Sequence, residues 1–205
     1  MNLPQKILAA LLALSLSLCF LPADSHAAAK DVTASMKKDK NLKKIVKLIA
    51  PYATGQVREK KKETETFQGY QALSAAANVS YSNGLGSSFT KKEIQKLTYD
   101  LFGIKPGTKS IPAFKSSRRK WIAKTPYSSG KPYVYSGGDW GARKPRYKIQ
   151  KIQKVKTNVY DVTIINQICY ADENGRIEKI GKTCIRLKKN KKSSYRYTIT
   201  RLKYL

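Results

Sequence analysis

The chain reads as an α+β protein, with helices in its first half and an antiparallel sheet of four to five strands in its second. Two patterns carry that expectation. Leu42, Ile45, Val46 and Ile49 recur at i, i+3, i+4 and i+7, and Ile94, Leu97 and Leu101 form a second stripe at helical spacing. Near residue 147 the period changes to two, and Tyr160, Val162, Ile164, Ile168 and Tyr170 alternate along one run. Helices first and an antiparallel meander last is the α+β order.

Residues 1–27 read as a leader rather than as part of the fold. Lys6 supplies a positive start, 7–21 is apolar apart from Ser15 and Ser17, and Ser25-His26-Ala27 places small residues where a signal peptidase reads. The apolar run of about fifteen residues is shorter than the ~20 that span a bilayer. A retained anchor is the alternative; lipid attachment at Cys19 is disfavoured by Leu18 and Phe20. The expectation is export. The 205-residue chain has 41 Lys and Arg against 13 acids, a formal charge of +28. Loss of Lys6 and Asp24 with the leader leaves that charge unchanged. About 178 residues remain, enough for one domain with a core. The composition excludes acidic disorder, collagen, coiled coil and multi-span membrane classes.

The elements follow in order. Residues 28–85 form a basic segment with one amphipathic helix, 33–50, ended by Pro51. Its stripe has two uses, a membrane surface or the domain core, and the core is the expectation. From 54 to 82 the pattern is poor; 72–77 is helix-compatible and Asn83-Gly84 reads as a turn. Asn78-Val79-Ser80 matches a glycosylation sequon. Residues 86–205 form the α+β domain. Thr90-Lys91-Lys92-Glu93 is a capping box that opens a helix over 91–102, and Gly103 stops it. Residues 105–131 are irregular, broken by Pro106, Pro112 and Pro126. Strands are expected at 133–135, 147–155, 159–170, 183–188 and 195–204.

Without the leader two cysteines remain. Cys169 lies opposite the Ile168 and Tyr170 face, and Cys184 opposite the Ile185 and Leu187 face, so both project from one side of neighbouring strands. If Ile168 faces Ile185, a disulfide forms and closes a loop of about 15 residues, worth roughly 3 kcal/mol. A tight turn at Asn174-Gly175 sets Ile165 against Cys184 instead and parts the sulfurs. The disulfide is the expectation for an exported chain.

Three segments carry a family resemblance: 90–103, then Gly138-Asp139-Trp140-Gly141, then the strands ending Ser194-Tyr195-Arg196-Tyr197-Thr198-Ile199-Thr200. Across about 89–205 the chain resembles secreted domains of the cystatin-like or NTF2-like superfamily. That resemblance implies helices packed into a curved antiparallel sheet. Such folds host enzymes, binding modules and interaction domains alike.

Little catalytic chemistry is in view. His26 is the only His and leaves with the leader, so an imidazole base, a Ser-His-Asp triad and His-based zinc sites are missing. Two Cys make neither a zinc site nor a CxxC pair. Ser-x-x-Lys occurs about as often as chance predicts, and there is no phosphate-binding or dinucleotide fingerprint. No cofactor and no metal are expected. The alternative function is a small-ligand-binding or catalytic pocket in the curved sheet, with Asp139 beside Trp140 at its mouth, an acceptor next to a stacking ring. The alternative is a tight connection with Trp140 folded onto the core.

Charge is the positive signal. Lys43, Lys44 and Lys47 on the first helix, with Lys148, Lys154, Arg186, Lys188 and Arg196 on the outer sheet face, are the expected polyanion-binding residues. Lys outnumbers Arg 32 to 9, which favours point-charge contact with phosphates over bidentate base reading. The expected partners are anionic envelope polymers or lipids. Nucleic acid shares the charge argument but has no reader motif. The plain alternative is a well-solvated lysine-rich chain.

Overall fold

The computed structural model describes residues 29–86, 88–106, 133–134 and 143–205. The expected leader, most of the 105–131 stretch, and Asp139 with Trp140 lie outside the described residues. The elements are β1 (Lys30–Asp31), α1 (Thr33–Met36), α2 (Lys40–Gln56), β2 (Thr64–Glu65), α3 (Gly69–Ser82), β3 (Ser88–Phe89), α4 (Lys91–Phe102), β4 (Tyr133–Val134), β5 (Arg143–Lys156), β6 (Val159–Tyr170), β7 (Arg176–Lys189) and β8 (Tyr197–Tyr204).

The fold is α+β. An antiparallel sheet has the order β1-β5-β6-β7-β8-β2. It has six strands rather than four to five, because two-residue strands from the helical half join each edge. β4 is not among them; it pairs with β3 in a separate ribbon. α2 lies across one face, touching β5 to β8, while α4 packs on β8 and α3 packs on both helices. One core takes residues from both sides of residue 86, joining Leu42, Ile45, Ile49 and Leu73 to Val162, Ile164, Ile185 and Leu202. The amphipathic stripe is therefore spent on the core, with Leu42, Ile45, Val46 and Ile49 all fully buried.

α4 has the expected bounds. Thr90 Oγ1 accepts from the Glu93 N–H, Glu93 Oε2 accepts from the Thr90 N–H, and Gly103 ends the helix at φ 73°. The first helix differs from expectation at both ends. Asp39 breaks it by capping α2, accepting from the Asn41 and Leu42 N–H groups at 2.9 and 3.0 Å. At the other end α2 runs through Pro51 to Gln56. A mid-helix Pro costs about 3 kcal/mol, but Tyr52, Ala53, Thr54 and Val57 are buried beyond it, and their burial outweighs that cost.

β7 is longer than the expected 183–188, because the chain turns at once after β6 through Asn174 (φ 53°) and Gly175 (φ 74°). A bulge follows, where Asn166 faces Gly181 but Gln167 faces Lys179. Gly181 sits beneath α2, and a Cβ there would stand 2.9 Å from the Val57 side chain.

This register overturns the disulfide. Cys184 faces Thr163 and Cys169 faces Ile177, and both are free thiols. Six residues of β6 separate the two rows, about 20 Å at strand rise. The loop 171–175 decides the matter: it pairs Tyr170 with Arg176, and with the one-residue shift at Gly181 this sets Cys184 against Thr163 rather than Ile165.

Candidate functional site

The face of the sheet on which none of the described helices packs is the site. The cross-strand register assigns each side chain to a face. Residues opposite Val162, Ile164 and Asn166 point to the helices, and residues opposite Asp161, Thr163, Ile165 and Gln167 point away. On the outer side β5 contributes Lys144, Arg146, Lys148, Lys151 and, opposite Val159, Lys156. β7 contributes Lys179, Lys182, Arg186 and Lys188, and β8 contributes Arg201 and Lys203. Between them β6 presents Thr163, Ile165 and Gln167, none charged. Two cationic rows thus flank a row that is uncharged from Thr163 to Gln167. Strands lie about 4.8 Å apart, so the rows stand roughly 10 Å from each other.

One acid interrupts this face on its four long strands. Asp161 accepts from Arg186 Nε and Nη2, each at 2.7 Å, and Arg201 Nη2 lies 3.8 Å away. It offsets the repulsion between two arginines that face each other directly across β7 and β8. The Arg201 Nε is buried without a hydrogen-bond partner. At the β1 edge, Asp31 stands opposite Gln153 and accepts from the Thr33 N–H. Cys184 lies in the same neighbourhood; burial first, then Asp161, push its thiol up, away from the reactive thiolate.

The structure divides the expected basic residues among several surfaces. Lys148, Arg186 and Lys188 share the outer face. Lys154 does not, because it pairs with the inward-facing Tyr160 and so lies on the helix side. Arg196 belongs to the β7–β8 loop at φ 60°, where its guanidinium donates to the Lys191 carbonyl. Lys43, Lys44 and Lys47 are exposed on α2, in the layer opposite the basic face, and Lys44 Nζ lies 5.4 Å from the Tyr195 ring centroid. Asp139 and Trp140 lie outside the described residues. Lys179 and Lys182 complete the β7 row and were not anticipated; their signal is the alternation restarted after the Gly181 bulge.

Other polar clusters serve the fold. Asp39 accepts from the Tyr197 hydroxyl at 2.7 Å while capping α2. Desolvation pushes its carboxyl up, but the Leu42, Tyr197 and Asn41 hydrogen bonds outweigh this and hold it below the usual value. Lys96, Asp100 and Ser194 form a connected group in which Asp100 also accepts from the Ser194 N–H at 3.0 Å. With Ser193 Oγ donating to the Asp100 carbonyl, that group fastens the β7–β8 loop to α4. Asn78-Val79-Ser80 lies within α3, with Ser80 buried, unlike the surface loop that a glycosylated sequon occupies. No helix among the described residues is long and apolar enough to cross a membrane.

No protein-family model matches the chain, and no curated protein or solved structure matches it significantly.

Proposed function

We propose that the chain is an exported, non-catalytic module that associates electrostatically with anionic polymers or lipids of the cell envelope. The outer face of its sheet would make the contact. One observation carries this reading: eleven cations on β5, β7 and β8 share a face with a single acid on the long strands, already paired to Arg186. Like charges gathered at this density repel one another, and a polyanion relieves that repulsion. The leader-like segment and the +28 charge of the chain support an extracellular setting and an anionic partner. The order of helices and meander also supports a cystatin-like or NTF2-like fold as our reading of the architecture. Nucleic acid is the weaker partner, because the outer positions of the long strands hold no aromatic side chain on which a base would stack.

The test is binding of the protein to its host's isolated envelopes, titrated with salt. Strong binding at low ionic strength that collapses as salt rises is the expected result. Binding unchanged by salt, or absent at low salt, defeats the proposal.

A further inference from the structure

A polar cleft lies apart from the basic face. α2, α3 and β2 enclose a cavity of about 460 Å³. On one side Glu65 is the centre of a hydrogen-bond network. The Tyr52 hydroxyl donates to Glu65 Oε1 and the Tyr204 hydroxyl to Glu65 Oε2, each at 2.6 Å, and Lys60 Nζ stands 3.4 Å from Oε1. Both tyrosines are buried, so the carboxylate is gripped from the core. Desolvation first, then the Glu65 hydrogen bond, push the Tyr204 phenol well above its usual range, and it remains a donor.

The walls have a different character. Gln71, Ser74 and Asn78 fall at i, i+3 and i+7 along α3 and line the cavity with Gln56 of α2. The side chains of Gln56, Gln71 and Ser74 make no hydrogen bond to any described residue. The other side of α3, with Ala72, Leu73 and Ala76, is buried in the core. A helix that already fills its core face thus presents a second, ordered row of neutral donors and acceptors to a cavity. Among the described residues, Lys60, Glu63 and Glu65 are the only charged ones lining it, so the cleft does not continue the cationic face. The Glu65 oxygens are engaged by two phenols and a lysine, which leaves recognition to the amides and hydroxyls of the walls together with the exposed Glu63. An amide donates and accepts at once, as does a sugar hydroxyl, and the cavity falls within the size range of small-ligand sites.

We propose that this cleft binds a neutral polyhydroxylated ligand, a sugar unit of one or two rings, through Gln56, Gln71, Ser74 and Asn78. Amide-resolved NMR of the whole protein, titrated separately with cellobiose, chitobiose, spermidine and polyphosphate, tests it. A disaccharide is expected to shift Gln56, Gln71 and Ser74 signals saturably, with a Kd of about 1 mM or tighter and little salt dependence. Ser74→Trp fills the cleft and should weaken that binding at least tenfold while leaving polyphosphate binding intact. Should Ser74→Trp fail to fold, Gln56→Ala and Gln71→Ala should each weaken sugar binding severalfold. Unmoved cleft signals with both sugars at about 10 mM overturn the proposal. So do cleft signals that move with spermidine instead, or affinity unchanged in the variants. Polyphosphate binding that fails while sugar binding holds would instead count against the basic face alone.

Discussion

Replacing Lys148, Lys151 and Lys182 together with Gln isolates the basic face from the net charge of the protein. All three are exposed and none forms an ion pair with another described residue. Lys148 and Lys182 flank Ile165 from opposite sides, and Lys151 faces Thr163 two residues away. Each lysine near an anionic surface is worth about 1 kcal/mol, so the triple variant loses about 3 kcal/mol of binding. At 1.4 kcal/mol per decade that is roughly a 150-fold weaker affinity. Stability should change little, because such exposed substitutions stay within about 0.5 kcal/mol each. The assay is cosedimentation with anionic lipid vesicles at low salt, beside a matched variant with Lys43, Lys44 and Lys47 changed to Gln. The matched variant sheds the same charge from the opposite layer and should lose far less affinity. Equal losses from both variants would mean that net charge, not this face, draws the partner, and would refute the reasoning.

Asp161→Asn should act in opposite directions in two assays. Loss of its charge-assisted bonds to Arg186 lowers stability by about 1–3 kcal/mol in a urea melt. The freed arginines raise vesicle affinity about fivefold; a fall would mean that Asp161 positions them for binding. Tyr204→Phe should lower stability by about 1.5–3 kcal/mol near neutral pH, where Glu65 loses a buried donor. The Tyr204 phenol lies above its usual 10.0 in the folded protein, so its contribution is complete below pH 10 and declines as pH rises and the unfolded phenol ionises. The gap between wild type and variant, followed by thermal melts, should therefore narrow from pH 9 to pH 11; a widening gap contradicts the assignment. Alkylation of the unfolded, unreduced protein should label both Cys169 and Cys184, and protection of the pair would restore the disulfide register.

Much of this arrangement is legible in the residues, and the failures have physical causes. α4 is readable to the residue because Thr90, Glu93 and Gly103 act locally, through bonds within one turn. β6 is readable because its inward side chains alternate without interruption. α2 is misread at Pro51 because the burial that holds its last turn comes from the sheet, far along the chain. Face assignments fail wherever a bulge intervenes. Lys148 and Lys154 share parity in the sequence, yet the register shifts between Ile149 and Lys151 and sends Lys154 to the other side. The same effect at Gly181 hides Lys179 and Lys182. The charge itself is plain in the composition, but its gathering on one face is a property of strand pairing. The cleft is invisible because Gln56, Glu65, Ser74 and Tyr204 come from four elements.

β5 also has an edge. β1 pairs with it only at Gln153 and Lys154, so among the described residues most of its length offers unpaired backbone groups to any passing strand. Such an edge invites end-on addition of another chain and, from there, fibrils. Lys144, Arg146, Lys148 and Lys151, with Pro145 and the irregularity after Ile149, make that addition unfavourable through repulsion, a missing N–H and a bend. The residues proposed to attract a polymer would then be the same ones that keep copies of this protein from polymerising with each other. Stripping that charge to weaken ligand binding would leave a sheet freer to grow.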